Sequence, residues 1–190
     1  MLEGIQIPRR GPGLTVSDLL CPRRTCLRIL STEGDGWPAS GRKKGFYVPH
    51  GGVWARLDGW LADGPVQIPV VRLRRRADAP LLPLRPWERW RAAVLLHALG
   101  ASGALLVSRG RAILWRPPEA ESLRLLFEIL ERRDSLLEAV EAGDPSLALA
   151  ASDDPELSWL CSRCEFSALC ASIRPPQLSE PIPQDSEGGG

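Results

Sequence analysis

Three cysteines close to the C-terminus, Cys161, Cys164 and Cys170, follow the spacing C-x2-C-x5-C. Thiolates this close together repel one another and oxidise readily unless a metal ion or a cluster binds them. Structural zinc ions and iron–sulfur clusters usually take four protein ligands, so a fourth ligand must come from elsewhere. Only Cys21 and Cys26 remain, and both lie near the N-terminus. We therefore expect the two ends of the chain to meet at one inorganic site.

The local sequence distinguishes the two N-terminal cysteines. Thr15 or Ser17 can cap a short helix, and the proline that follows Cys21 suits the first turn of a second helix, which runs to about Leu30. Cys21 therefore lies at a junction between two helices, where a thiolate can point outward. Cys26 lies inside the second helix, where a small buried residue is the simpler interpretation.

The spacing of the cysteines also bears on the group that they bind. Zinc ribbons usually take their ligands as two spaced pairs, whereas here three ligands are clustered and one is remote. An iron–sulfur cluster tolerates uneven spacing because each thiolate binds its own iron. We expect a [4Fe–4S] cluster, with Zn²⁺ as the alternative.

Composition bounds the class of protein. The chain has 190 residues, 44% hydrophobic and 25% charged, as expected of one soluble domain. We find no apolar run of membrane-spanning length and no signal-like N-terminus, so we predict a cytoplasmic protein without a membrane partner. In a reducing compartment its five cysteines are expected to be ligands or free thiols. Composition predicts a flexible segment over residues 1–13, one domain over 14–173 and a disordered tail over 174–190.

Hydrophobic periodicity and turn residues predict two hairpins and two long helices. The first hairpin joins strands over Val53–Leu61 and Val66–Leu73 through an Asp63-Gly64 turn, and this register sets Asp58 opposite Pro69. The other predicted elements are a loop over residues 31–45, a buried helix over 87–99, a hairpin over 103–115 and an amphipathic helix over 119–141. The last helix is expected to bury a stripe made of Leu123, Leu126, Phe127, Leu130, Leu137 and Val140.

Several of these features together resemble a known family. The segments Ser17-Asp18-Leu19 and Cys21-Pro22-Arg23, the hairpin with an aspartate in its first strand, the long helix and the C-x2-C-x5-C segment are similar to the RecB-like PD-(D/E)XK nucleases that carry a [4Fe–4S] cluster. The resemblance is strongest to the small CRISPR-associated RecB-family exonucleases and covers most of residues 14–171. It implies an α/β fold, a mixed sheet flanked by helices, in which the cluster joins the N- and C-terminal segments. It also implies that the cluster ligands are Cys21, Cys161, Cys164 and Cys170.

The resemblance implies metal-dependent phosphodiester cleavage at a second site. In that family a histidine and two acids bind Mg²⁺ or Mn²⁺, and a lysine two residues after the second acid orients the attacking water. His50 and Asp58 match the histidine and the first acid, but the acid-x-Lys position is occupied by Gln67-Ile68-Pro69. A neutral glutamine is a poor ligand for a hard cation, and a proline has no charge. The sequence therefore predicts a degenerate catalytic site of His50, Asp58 and Gln67.

Two further sets of residues bear on this site. A migrated acid could come from Glu88, Asp63 or Asp78, although solvated surface acids are the simpler interpretation. Asp58 itself could instead form a salt bridge with Arg56 or with an arginine of the 72–76 run. Basic residues predict contacts with nucleic acid, with seven tryptophans as possible stacking partners; the predicted contacts are Arg23, Arg24, Arg72, Arg74, Arg75 and Arg76. The alternative is a solvated basic face and a tryptophan-rich core.

Three hypotheses of function remain open at the level of sequence. The first is a cluster-stabilised, catalytically impaired nuclease homologue that binds DNA, or that joins the protein partners of a DNA-processing or CRISPR adaptation complex. The second is an active Mg²⁺- or Mn²⁺-dependent single-strand DNA exonuclease that uses His50, Asp58 and a migrated acid. The third is a zinc-stapled protein-interaction module.

Overall fold

The computed structural model describes residues 14–31, 46–63, 66–76 and 78–173, which form an α/β fold of two mixed sheets flanked by helices. The strands are β1 (Leu14–Thr15), β2 (Phe46–His50), β3 (Val53–Leu57), β4 (Gly59–Asp63), β5 (Val66–Arg72), β6 (Ala104–Ser108) and β7 (Arg111–Trp115). The helices are α1 (Pro22–Leu30), α2 (Pro86–Leu99), α3 (Glu119–Ala142) and α4 (Ser167–Ser172). Short 3-10 helices cover Asp18–Leu20, Pro145–Leu147, Ala151–Asp153 and Ser158–Arg163.

The strands form two sheets, and the chain passes from the first sheet to the second between β3 and β4. The three-stranded sheet has the order β1-β3-β2, and the four-stranded sheet has the order β4-β5-β6-β7. Two strand pairs, β1 with β3 and β5 with β6, are parallel, and the other pairs are antiparallel. Helix α2 packs against β2, β3, β5 and α3, and α1 packs against α3. The buried core therefore lies between the sheets and the three longer helices.

The predicted strand over Val53–Leu61 is wrong in one respect, because it is divided at Asp58. Strand β3 ends at Leu57, where its partner is β2, and β4 begins at Gly59, where its partner is β5. The Asp58 N–H donates to the Val70 carbonyl at 3.2 Å, so the backbone crosses from one sheet to the other at this residue.

The predicted register of the first hairpin is also wrong. Asp63 pairs with Val66 and Trp60 pairs with Pro69, so the reversal lies further along the chain than an Asp63-Gly64 turn would put it. Pro65 has no N–H to donate to a strand ladder, which favours pairing that starts at Val66. Asp58 is consequently not opposite Pro69.

The two long helices and the second hairpin are confirmed. Helices α2 and α3 each end at a glycine in the left-handed region, Gly100 with φ 61° and Gly143 with φ 67°. Glycine adopts this conformation at little cost, so it terminates a helix efficiently. The hairpin of β6 and β7 reverses at Arg109-Gly110, as predicted.

The predicted buried stripe of α3 is wrong for three of its six residues, whereas Leu126 is buried and Leu130 and Val140 are partly buried against the core. Leu123, Phe127 and Leu137 are 37%, 65% and 40% exposed. The buried face consists of Ser122, Leu125, Leu126, Ile129, Arg132, Leu136 and Ala139. The helix carries apolar residues on two faces, and the buried face also contains Arg132, whose partners there are a carboxylate and a backbone carbonyl.

Some predictions fall outside the described residues. The flexible N-terminal segment over residues 1–13, nearly all of the loop over 31–45 and the disordered tail over 174–190 belong to this group. Within the described part of the chain, no helix has the length and apolar character needed to cross a lipid bilayer.

Candidate functional site: a thiol cavity and an arginine cleft

Four of the five cysteines line one cavity of about 160 Å³, which we call the thiol cavity. Cys21 precedes α1, Cys161 lies in the 3-10 helix Ser158–Arg163, Cys164 follows that helix, and Cys170 lies in α4. Cys26 does not line it, and is fully buried in the core as a small apolar residue. The structure thus brings together the four cysteines that the resemblance implies as ligands.

Three arginines hold the two ends of the chain together around this cavity. Arg23 is buried and its Nε donates to the Ala148 carbonyl at 3.1 Å. Arg132 in α3 donates to the Leu20 carbonyl at 3.4 Å and pairs with Asp154 at 2.8 Å. Arg28 pairs with Glu165, between Cys164 and α4. These arginine contacts therefore help to bring the cysteines together, although no cysteine takes part in them.

The wall of the thiol cavity is mostly apolar, with one cation. Its apolar residues include Leu27, Leu160 and Phe166. Arg24 also lines it, and the Arg24 Nε is buried without a hydrogen-bond acceptor in the described part of the protein. An unsatisfied buried N–H of a cation is costly unless a negatively charged acceptor completes it. The cavity therefore suits an anionic occupant or thiolates that face Arg24.

Burial and thiol–thiol proximity act on the acidity of one cysteine. Burial raises the pKa of Cys161, and the neighbouring thiols of Cys21, Cys170 and Cys164 raise it further because thiolates repel one another. A bound cation would reverse this repulsion, since thiolates are the form that binds metal. The thiolate form of Cys161 is thus disfavoured by its surroundings.

The geometry of the thiols bears on the size of the group that they suit. Among the described residues, no three His, Cys, Asp or Glu side chains are arranged to bind a single metal ion. A tetrahedral zinc with Zn–S bonds of about 2.3 Å would hold its sulfurs about 3.8 Å apart. The thiol cavity, at about 160 Å³, is comparable with an engineered cavity of about 150 Å³ that binds benzene. The cavity therefore has room for a group larger than one ion.

A second concave surface, which we call the arginine cleft, lies between β3, β5 and the start of α2. It has a volume of about 470 Å³, and Tyr47, Trp54 and Trp87 supply its aromatic side chains. Its five arginines are Arg56, Arg72, Arg74, Arg85 and Arg91. A neighbouring open depression shares Arg72 and Arg74 and adds Arg76 and Arg109. The two surfaces together form a continuous basic strip.

Asp58 lies beside the arginine cleft, but its carboxylate is already paired. One oxygen accepts from the Arg56 Nε at 3.1 Å, and the other pairs with Arg91 and accepts from the Arg72 N–H at 2.6 Å. The Asp58 side chain is only 8% exposed. Both oxygens therefore serve ion pairs, and the interpretation of Asp58 as a salt-bridged residue fits this geometry.

The migrated acid that the sequence suggested is also paired. Glu88 is buried, and its Oε2 accepts from the Arg85 N–H at 2.9 Å and from Arg75. Arg75 in turn donates to the carbonyls of Pro80 and Pro83 at 2.7 and 2.8 Å. Asp78 is exposed, and the side chain of Asp63 lies outside the described structure. No unpaired carboxylate lines the described part of the arginine cleft.

His50 does not join Asp58 in a common site. The register pairs His50 with Val53 and Phe46 with Leu57, so His50 and Asp58 lie at opposite ends of the β2–β3 hairpin. Five residues of β3 separate the two ends, a span of roughly 16 Å. His50 instead stacks near His97 of α2, with ring centroids 6.0 Å apart. The metal site predicted from His50 and Asp58 is therefore not formed.

The remaining predicted catalytic residue is Gln67. Its backbone pairs with Ala62 in the β4–β5 hairpin, and its side chain lies outside the described part of the structure. Two residues further on, Pro69 is buried opposite Trp60. The position that would carry the lysine thus holds an apolar residue inside the sheet.

The six predicted nucleic-acid contacts divide into three groups. Arg72, Arg74 and Arg76 lie on the exposed basic strip. Arg23 and Arg75 are corrections, since the buried Arg23 guanidinium donates to a backbone carbonyl and the buried Arg75 guanidinium pairs with Glu88. Arg24 is a further correction, because it lines the thiol cavity.

Sequence reasoning missed three arginines of the cleft, Arg56, Arg85 and Arg91. Their sequence signals were weak: Arg56 alternates with Trp54 along a strand, and the other two flank the start of α2. None of the three belongs to a basic run, so only the packing of α2 on β3 brings them together.

Comparison with known proteins adds little to this geometry. No protein-family model matches the chain, and no curated protein is detectably similar to it. Among solved structures, the chain is similar to one described as the crystal structure of SSO0001, with 18% identity and a TM-score of 0.45 over 88% of this chain and 89% of that chain. A similarity at that level carries no conclusion about either site.

Proposed function

We propose that this chain is a nucleic-acid-binding protein with a PD-(D/E)XK-like fold and without metal-dependent nuclease activity. The observation that carries the proposal is the arginine cleft, which is lined by five arginines, three aromatic side chains and a glutamate, Glu88, that is already paired with Arg75. Phosphates of a nucleic acid are the commonest ligands that need such a density of cations together with aromatic rings.

The ion pairs of Asp58 and Glu88 support the absence of cleavage. A hard cation such as Mg²⁺ needs several free oxygen ligands, and both carboxylates are engaged by arginines or backbone N–H groups. To bind a metal ion, Asp58 would have to release two arginines and leave them beside a second positive charge. The phosphate contacts are therefore assigned to Arg72, Arg74 and Arg85, the arginines of the cleft whose side chains do not pair with Asp58.

We propose in addition that a [4Fe–4S] cluster occupies the thiol cavity, with Cys21, Cys161, Cys164 and Cys170 as its ligands. Support comes from the convergence of four thiols on one cavity of about 160 Å³ and from the unsatisfied Nε of Arg24 in its wall. The cluster would supply the central positive charge that lets four thiolates share one cavity, and so would join the ends of the chain.

The test combines binding and cleavage in one set of samples. Full-length protein, purified without oxygen, is titrated into labelled single-stranded and duplex DNA, and anisotropy is followed at increasing salt. The same mixtures are then incubated with Mn²⁺ and resolved on a denaturing gel. We expect salt-sensitive binding, intact DNA and about four irons per chain.

Each part of the proposal has a result that would overturn it. Cleavage that depends on Mn²⁺ and is lost in Asp58→Ala would establish the active exonuclease instead. A colourless protein with one zinc per chain and no affinity for DNA would establish the zinc-stapled interaction module.

A further inference from the structure

A third concavity lies on the far side of Arg85 and Trp87 from the arginine cleft. It has a volume of about 480 Å³, and its lining includes Pro83, the two tryptophans Trp87 and Trp159, and the charged residues Arg85 and Glu156. The rings of Trp87 and Trp159 are tilted at 56° with centroids 5.8 Å apart, and Trp159 remains 50% exposed. We call this concavity the tryptophan pocket.

The tryptophan pocket is continuous with the arginine cleft because both share two residues. Arg85 and Trp87 line each of them, and the Arg85 guanidinium lies 5.3 Å from the centre of the Trp87 ring. A ligand that fills the cleft can therefore extend over this ridge without leaving the protein surface. Along that path the Arg85 guanidinium is followed by the rings of Trp87 and Trp159.

The pocket is held in shape by contacts on its rim. The Trp159 Nε1 donates to the Glu156 carbonyl at 3.2 Å, which fixes the plane of the indole against its own 3-10 helix. Glu156 is paired with Arg89 of α2, and this pair ties the Trp159 segment to the helix that carries Trp87. The exposed indole face is thus presented on a fixed support, as a stacking surface requires.

From this arrangement we infer that the tryptophan pocket takes an unpaired nucleobase of a nucleic acid whose phosphates lie in the arginine cleft. The inference rests on the proposed function and adds the recognition of a base to it. A base in a duplex is already stacked and paired, so only an unpaired base or a flipped base can reach the Trp159 face. The pattern of a cation beside aromatic faces fits a nucleotide, whose phosphate and base are adjacent.

The experiment separates base stacking from phosphate binding by means of the ligand. Two labelled oligonucleotides of about 12 nucleotides are compared: oligothymidine and an abasic strand with the same number of phosphates. Affinities are measured by anisotropy for the wild-type protein, for Trp159→Leu, which keeps an apolar contact with Trp87, and for Trp159→Tyr, which keeps an aromatic face. Circular dichroism and iron content show that the variants retain the fold.

Wild-type protein is expected to bind oligothymidine at least about tenfold more tightly than the abasic strand, since one stacked base contributes about that much. Trp159→Leu should reduce this ratio several-fold while the affinity for the abasic strand stays unchanged, and Trp159→Tyr should restore most of it. An equal preference in wild type and Trp159→Leu would overturn the base site and leave the proposed function intact. Failure of both strands to bind wild-type protein would overturn the proposed function itself.

A measurement on the wild-type protein covers the case in which Trp159→Leu does not fold. A strand that contains 5-iodouracil is irradiated in complex with the full chain, and the cross-linked peptide is identified by mass spectrometry. A cross-link at Trp159 supports the base site. Cross-links found only at other aromatic residues overturn it, and a docking surface for a protein partner then becomes the better explanation of the exposed indole.

Discussion

The thiol cavity and the arginine cleft have opposite electrostatic needs. In the cavity, four thiols converge around a space with mostly apolar walls, and burial together with mutual repulsion disfavours the thiolate of Cys161. In the cleft, the acidic side chains have already been neutralised by arginines, and an excess of cations remains. A central cation would stabilise the first site, whereas an anion would stabilise the second. We therefore propose inorganic chemistry for one region and anion binding for the other, although the resemblance implied a metal ion in both.

The largest effect should come from the cysteines. Cys21 and Cys26 are almost equally buried, at 6% and 0% exposure, but only Cys21 lines the thiol cavity. We expect Cys21→Ala to lose its iron and several kcal/mol of unfolding free energy, and Cys26→Ala to keep its iron and lose about 1 kcal/mol. Iron analysis and urea unfolding without oxygen measure both. Loss of iron from Cys26→Ala as well would break the distinction between the two cysteines.

The next effect concerns the ion pairs at the cleft. Asp58→Asn leaves Arg56 and Arg91 without their buried partner, so we expect a loss of about 3 kcal/mol of unfolding free energy. The freed charge should at the same time strengthen DNA binding. Asp134→Asn is the matched control, since Asp134 also pairs with an arginine but is 61% exposed and should cost under about 1 kcal/mol. Weaker DNA binding by Asp58→Asn would contradict the role assigned to this pair.

The basic strip should make DNA binding depend strongly on salt concentration. Arg72→Ala combined with Arg74→Ala removes two exposed cations of the cleft, and we expect about a tenfold loss of DNA affinity and a salt slope smaller by about 2. Arg116→Ala combined with Arg124→Ala is the control with the same change in charge, because neither residue lines the cleft or the depression beside it. Equal losses in the two double variants would indicate that only overall charge matters.

The smallest effect is a dependence of stability on pH at His50. Burial lowers the pKa of His50, and the nearby His97 lowers it further, so the unfolded chain binds this proton more tightly than the folded chain does. The contribution of His50 to stability is therefore complete above the unfolded pKa of about 6.5 and is lost as the pH falls through the lower folded pKa. Unfolding in urea should become easier on acidification in wild type, and less so in His50→Gln.

Addition of Mn²⁺ tests the other interpretation of His50. A histidine that ligates a metal ion would make the protein more stable in its presence. We expect the unfolding midpoint of wild-type protein to be the same with and without Mn²⁺, because His50 and Asp58 lie at opposite ends of their hairpin. A stabilisation that disappears in His50→Gln would restore the metal site.

The parts of the fold that sequence could predict are those set by local chemistry. Gly100 and Gly143 terminate α2 and α3, and Arg109-Gly110 turns the second hairpin. These features depend on backbone preferences within a few residues. The grouping of the four cysteines depended on counting ligands and on a family resemblance.

The parts that sequence could not predict depend on packing between distant elements. A buried Arg23 and an exposed Arg74 look alike in a basic run, and only the carbonyls that Arg23 meets after folding distinguish them. In the same way, the pairing of Asp58 depends on α2 delivering Arg91 to the sheet. Helix α3 carries apolar residues on two faces, and only its packing against other elements determines which face is buried.

The arginines that join the two ends of the chain have a kinetic consequence. Arg23 contacts a carbonyl 125 residues away, and Arg28 contacts a carboxylate 137 residues away. Closing a loop of this length carries an entropic cost that grows only slowly with length, but contacts so far apart in sequence slow the search for the native state. During synthesis the segment that carries Cys161, Cys164 and Cys170 emerges about 140 residues after Cys21. Helix α1 must therefore wait, with Cys21 uncovered, until that segment has been made.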